Sequence, residues 1–118
     1  MARRDAAQLD AVRALGAAPY ADYRTMIAEA RLDALIAVVP PTLHLDIVRT
    51  AAAAGVPLLL EKPAAPNLAD GRAMLAALRQ RPIPVMVAQT LRWNAVVRAM
   101  LAARARIGAV RSLSFTQR

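Results

Sequence analysis

The feature that most limits what this chain can become is a near-continuous apolar run, Leu32-Asp-Ala-Leu-Ile-Ala-Val-Val39, stopped by Pro40-Pro41. A run without polar alternation suits a strand covered on both faces. Two similar runs follow, Val56–Leu60 and Pro84–Gln89. Helical signals fill the gaps between them. Thr42 is placed to cap a helix running to Ala54, and Gly55 supplies a left-handed terminal turn. Asn67, with Asp70 three residues on, forms a variant capping box that opens a helix to Gln80. Strands that alternate with helical segments of about a dozen residues predict βαβ units and a parallel sheet. Right-handed crossovers then lay the helices on the sheet faces.

The flanks carry weaker signals. Arg3–Leu15 has apolar residues near helical spacing and stops at Gly16. Ala17–Tyr20 is expected to be extended, and Asp22 to cap a helix reaching Ala30. Trp93–Arg104 is again helical in pattern. Ala109–Gln117 alternates imperfectly through Val110, Leu113 and Phe115, as a strand facing a different core would. The change of pattern near Gly108 is the one candidate domain boundary.

A chain of 118 residues is enough for one small, marginally stable domain. Alanine is its commonest apolar residue and aromatics are only 3%, so its core depends on close helix–sheet approach rather than on large side chains. The absence of cysteine excludes disulfides and cysteine-ligated metals within these residues, and no metal site is expected. The longest apolar run is too short to cross a bilayer, and no apolar segment follows the charged opening Met1-Ala-Arg-Arg4. The expectation is a cytoplasmic protein without a membrane partner.

A net charge of +8 raises nucleic-acid binding as an alternative reading. The arginines are scattered, however, and no aromatic residues interleave with them as a stacking platform requires. Arginine-rich, alanine-rich composition of this kind also follows from a GC-rich genome. No nucleic-acid partner is expected on this reading. Against that arginine background only one of the sixteen basic residues is a lysine, Lys62. An ammonium can give up its proton near neutral pH and a guanidinium cannot, which marks Lys62 as a residue kept for its chemistry.

Lys62 lies in Leu60-Glu61-Lys62-Pro63, at the carboxyl end of a predicted strand. In open α/β sheets ligands sit just beyond that end. A lysine there can donate to a substrate oxygen, and Glu61 can steady it or meet a ribose hydroxyl. Pro63 fixes the backbone after it, with a cis bond as one option. The same tripeptide also suits a solvated strand end with a turn proline. Val38–His44 is a second strand-to-helix junction, where free helix N–H groups favour an anionic or polar ligand. His44 falls in the first helical turn, and a packed or capping histidine is its plainer reading. Gln89–Asn94 is the third junction. Arg92 there can pair with a carboxylate or phosphate, or stand as a surface arginine, while Trp93 suits packing.

The succession Ala21-Asp-Tyr23, Val39-Pro-Pro-Thr-Leu-His44, Ala54-Gly-Val-Pro57, Leu60-Glu-Lys-Pro63, Val87-Ala-Gln-Thr-Leu-Arg-Trp93 and Ile107-Gly-Ala-Val110 resembles the Gfo/Idh/MocA oxidoreductases over nearly the whole chain. The resemblance implies an α/β fold, namely an incomplete Rossmann-type parallel sheet with flanking helices. Residues 1–107 would be a partial dinucleotide-binding domain and 108–118 the start of a second α/β domain. It implies NAD or NADP as cofactor, hydride transfer to or from a sugar, polyol or related alcohol, and a homo-oligomeric parent enzyme. Lys62 would be catalytic. Pro40, Thr42, His44, Glu61, Lys62 and Arg92 would line the cofactor pocket.

The family opens with a strand and a Gly-x-Gly-x-x-Gly turn that holds the pyrophosphate. The four glycines here, Gly16, Gly55, Gly71 and Gly108, are isolated. The strand that selects NAD against NADP and most of the second domain have no counterpart in this sequence. The resemblance therefore implies an internal piece, with Met1 as an internal codon. Alone, it is expected to be inactive and to present an unpaired apolar edge at Leu32–Val39. A non-catalytic interaction chain or a remnant is the remaining alternative.

Overall fold

The computed structural model describes residues 6–112, 114 and 116. They divide into two compact units, 1–88 and 89–118.

In the first unit α1 (Ala6–Ala14) and α2 (Tyr23–Glu29) precede the strand β1 (Leu35–Ala37). Then follow α3 (His44–Ala54), β2 (Leu58–Leu60), α4 (Leu68–Gln80) and β3 (Val85–Val87). The strands form one parallel sheet in the order β1-β2-β3. This is the predicted α/β class, with each crossover carried by a helix.

Helix ends follow local chemistry. The Asp22 side chain accepts the Arg24 N–H at 2.9 Å and starts α2. The Asn67 side chain accepts the Asp70 N–H at 2.9 Å and starts α4 where the capping box predicts. Gly55, at φ 71°, ends α3 and returns its N–H to the Ala51 and Ala52 carbonyls. Thr42 does not cap α3. Pro41, which presets φ and lacks an N–H, opens a short 3-10 turn, Pro41–Leu43, and the α-helix begins two residues after Thr42, at His44. The expected helix at Arg3–Leu15 is seen as α1, with Arg3–Asp5 outside the described residues.

Register explains the core. Leu58 pairs with Leu35 on one side and Val85 on the other, and Leu60 with Ala37 and Val87. Leu35, Ala37, Leu58 and Leu60 are buried with Ile47, Val48 and Ala51 of α3. Met26 and Ile27 of α2 and Met74 of α4 complete that cluster. The intervening row faces the other way. Ile36, Leu59 and Met86 are register partners, and Ile36 is 67% and Met86 45% exposed. The expectation that β1 is covered on both faces is thus met on one face only, because every helix joining these strands packs on the same side. β1 and β3 are the edge strands of the sheet as described.

The second unit contains a 3-10 turn, Thr90–Trp93, and α5 (Ala95–Ile107). The helix starts later than the Trp93 of the sequence reading because the Asn94 side chain caps it, accepting from Val96 at 2.9 Å and Val97 at 3.3 Å. Trp93 is exposed rather than packed. No strand occurs among the described residues of Ala109–Gln117; Leu113, Phe115 and Gln117 lie outside them.

A polar cluster joins α2 to α3. The Tyr23 hydroxyl donates to Asp46, and Arg24 donates to the same oxygen at 2.6 Å while its guanidinium sits 4.9 Å from the centroid of the Tyr23 ring. Burial and then the Asp46 hydrogen bond push the Tyr23 pKa up to about 12. A pKa raised on folding favours the folded state fully below the unfolded value of about 10, and that advantage is lost as pH climbs to the folded value. Tyr23→Phe should therefore cost about 1 kcal/mol at pH 8. In denaturant melts the gap to wild type should shrink between pH 10 and 12. Asn67→Ala should cost a further ~1 kcal/mol and fray the first turn of α4, read as lost amide protection there with the sheet unchanged.

Candidate functional site

The three strands run parallel and end together at Ala37, Leu60 and Val87. Each chain segment therefore leaves the sheet at one edge, where a parallel α/β sheet collects its ligands. Val38–Leu43 emerges from β1 and Glu61–Asn67 from β2. They bring five of the six predicted site residues, Pro40, Thr42, His44, Glu61 and Lys62, to that edge. Arg92 belongs to the second unit, where it stands exposed on the 3-10 turn.

The segment after β2 is held at its root. The Glu61 N–H donates to the Ala37 carbonyl at 3.1 Å, extending the ladder by one residue. The Glu61 carboxylate turns back to accept the Lys62 N–H at 2.8 Å. The Lys62–Pro63 bond is cis, the option noted from the sequence. The Lys62 side chain is exposed, and its ammonium has no hydrogen bond or ion pair among the described residues. Among the described residues it is a donor not committed to a structural pair.

The segment after β1 presents different surfaces. Pro40 and Thr42 are exposed. The Leu43 N–H closes the 3-10 turn on the Pro40 carbonyl at 3.0 Å. His44 was expected to line the cofactor pocket, but its side chain has no exposed surface. Its Nδ1 lies 3.1 Å from the Ala64 carbonyl oxygen and its Nε2 3.1 Å from that of Val39. Each ring nitrogen faces a backbone carbonyl, to one of which a neutral ring donates and to both an imidazolium, so the imidazole stands behind the wall of the site. Sequence alone could not separate these roles, because the ring's partners lie on two different segments.

The edge offers a hydroxyl, a carboxylate and an ammonium at Thr42, Glu61 and Lys62. That set suits the hydroxyls and amide of a nucleoside. It has no row of glycine N–H groups for a pyrophosphate. Among the described residues no group of three or more His, Cys, Asp or Glu side chains is placed to hold a metal, and no helix is long and apolar enough to cross a membrane.

Comparison with known proteins agrees with this geometry. The chain is 39% identical over 82 residues to a D-apiose dehydrogenase of Paraburkholderia graminis, a match covering 69% of this chain and 22% of the relative. It is 31% identical over 83 residues to a D-apiose dehydrogenase of Rhizobium rhizogenes, covering 70% of this chain and 24% of that one. It thus spans under a quarter of the length of these curated relatives. The WlbA dehydrogenase from Bordetella pertussis, solved in complex with NADH and UDP-GlcNAcA, superposes with a TM-score of 0.82 at 28% identity, over 89% of this chain and 31% of that one. An oxidoreductase from Agrobacterium radiobacter, in complex with NAD+, L-tartaric acid and magnesium, superposes with a TM-score of 0.80 at 29% identity, over 92% of this chain and 32% of that one. The model of the oxidoreductase family with an NAD-binding Rossmann fold matches residues 1–89, and with the sheet-edge geometry this makes the chain a member of the Gfo/Idh/MocA oxidoreductases.

Proposed function

We propose that these residues form part of the nucleotide-binding domain of a dehydrogenase that moves a hydride between a nicotinamide dinucleotide and a sugar, polyol or related alcohol. The observation that carries the reading is Lys62, the lone lysine of an arginine-rich chain, exposed at the carboxyl end of β2 and without an ion pair among the described residues. The sugar dehydrogenases among the relatives and the NADH and sugar-nucleotide complex of a structural neighbour support the substrate class. On this reading residues 1–107 belong to the nucleotide-binding domain and 108–118 lead into a substrate domain.

The bound dinucleotide supplies the hydride chemistry. Everything else is the protein's work. Thr42 and Glu61 would hold the nicotinamide-ribose half, and Pro40 would shape the wall beside them. Arg92 would meet a negative group of cofactor or substrate. The pyrophosphate would need N–H donors that these residues do not provide. Lys62 would donate to the reacting oxygen of the substrate. In the oxidation direction it would take up the hydroxyl proton as the carbon loses its hydride, and in reduction it would return that proton to the new alkoxide.

In the enzyme that carries this segment, Lys62→Ala should lower kcat by roughly 10²–10⁴-fold, the span typical of a general acid–base group. Nucleotide affinity should change by less than about tenfold, an effect on turnover rather than on binding. Lys62→Arg should not restore turnover, since it keeps the charge but holds its proton. Steady-state kinetics with a sugar or polyol substrate, beside a fluorescence titration with NADH, reads both quantities. Full turnover in either variant removes the lysine from the mechanism.

A further inference from the structure

We infer that His44 is a positioning residue for Lys62: its imidazole pins the middle of the lysine's loop to the end of the neighbouring strand. The inference rests on the reading of Lys62 given above, and three observations carry it. The first is that His44 is the one polar or charged side chain among the buried residues described, at 0% exposure. A polar ring is buried at a cost unless its nitrogens find partners. The second is the identity of those partners. Val39 lies just beyond β1, and Ala64 lies two residues past Lys62, so one ring spans the gap between the two segments that build the site. The third is how few hydrogen bonds hold this loop, whose Ala65 also packs against the core. Its root is tied by Glu61 to Ala37, and its far end by the Asn67 cap of α4. Between those ties, His44 makes the hydrogen-bonding contact seen to the stretch Pro63–Pro66 among the described residues.

The residue type follows from the geometry. Both partners are carbonyl oxygens, which only accept, and they lie on opposite sides of one rigid ring. Imidazole places a nitrogen at each end of a flat, compact body, donating to one carbonyl when neutral and to both when protonated. A phenyl ring fills the space with no donor. A glutamine carries its donors on one nitrogen at the end of a flexible chain. A displacement of about 1 Å at a reacting group costs on the order of 10²-fold in rate, so a tether two residues from the lysine is enough to matter.

In the ¹⁵N-labelled enzyme that carries this segment, a slowly exchanging ring N–H, assigned to His44 by its loss in His44→Phe, should be visible by NMR. A ring that exchanges as fast as free imidazole would overturn the tether. Backbone order parameters at Lys62, Ala64 and Ala65 should fall from about 0.85, typical of rigid backbone, to below about 0.6 in His44→Phe. Ile47 and Val48 in α3 should be unchanged, and His44→Gln should lie between. If His44→Phe does not fold, His44→Gln and the wild-type ring signal still decide. Loop order equal to wild type in a folded variant defeats the proposal.

In the whole enzyme, His44→Gln should lower kcat at least tenfold with NADH affinity within about threefold of wild type. Unchanged kcat there would defeat the positioning role. The underlying lysine reading fails separately, if Lys62→Ala keeps full turnover while His44→Phe still loosens the loop.

Discussion

The packing of α3 on the β1–β2 pair is the constraint from which the rest of the first unit follows. Ile47, Val48 and Ala51 sit on Leu35, Ala37, Leu58 and Leu60 with almost no surface left to water. Two of these contact residues are alanines, and that is what lets helix and sheet approach closely. α2 and α4 flank the same helix and add Met26, Ile27 and Met74 to its margins. Once α3 is seated, the direction of both strands is set, because a crossover helix returns the chain parallel to where it left. The segments that leave Ala37 and Leu60 must then emerge side by side. The site is a consequence of that seating.

Much of this was legible in the residues, and the reasons are local. Gly55 and Asn67 mark helix ends because their chemistry acts within a few residues, and α3 and α4 end and begin where they say. The apolar runs located all three strands, since a buried strand needs little more than branched apolar side chains and punctuation. The failures are informative in the same terms. Thr42 is a good capping residue by type, yet the prolines before it impose a tighter turn and move the helix start to His44. Asn94, read only as part of a junction, proved to be the cap that delays α5 past Trp93.

The site was legible in position but not in division of labour. Strand ends could be read from sequence, so Glu61, Lys62, Pro40 and Thr42 fall where expected, beyond the carboxyl ends of β1 and β2. What each side chain does there depends on partners distant in sequence. His44 is the clearest instance: its type and location fit a ligand contact, and only the positions of Val39 and Ala64 reveal that both nitrogens face backbone carbonyls. Lys62 is the converse, since its lack of an ion pair among the described residues is visible only when its surroundings are. The sheet's uncovered row, Ile36, Leu59 and Met86, was hidden for another reason. Apolar residues on both faces of a strand do not tell which face a helix will cover, and the helices described here cover one face.

The order of the strands carries a consequence for synthesis. β1, β2 and β3 are neighbours in space in the same sequence in which they leave the ribosome. No later strand has to slip between two earlier ones. Each helix-and-strand step can dock on a template already finished, and the chain separation closed at each step stays short. Such a sheet can grow vectorially, one crossover at a time, with each newly docked strand, β2 and then β3, as the fresh edge.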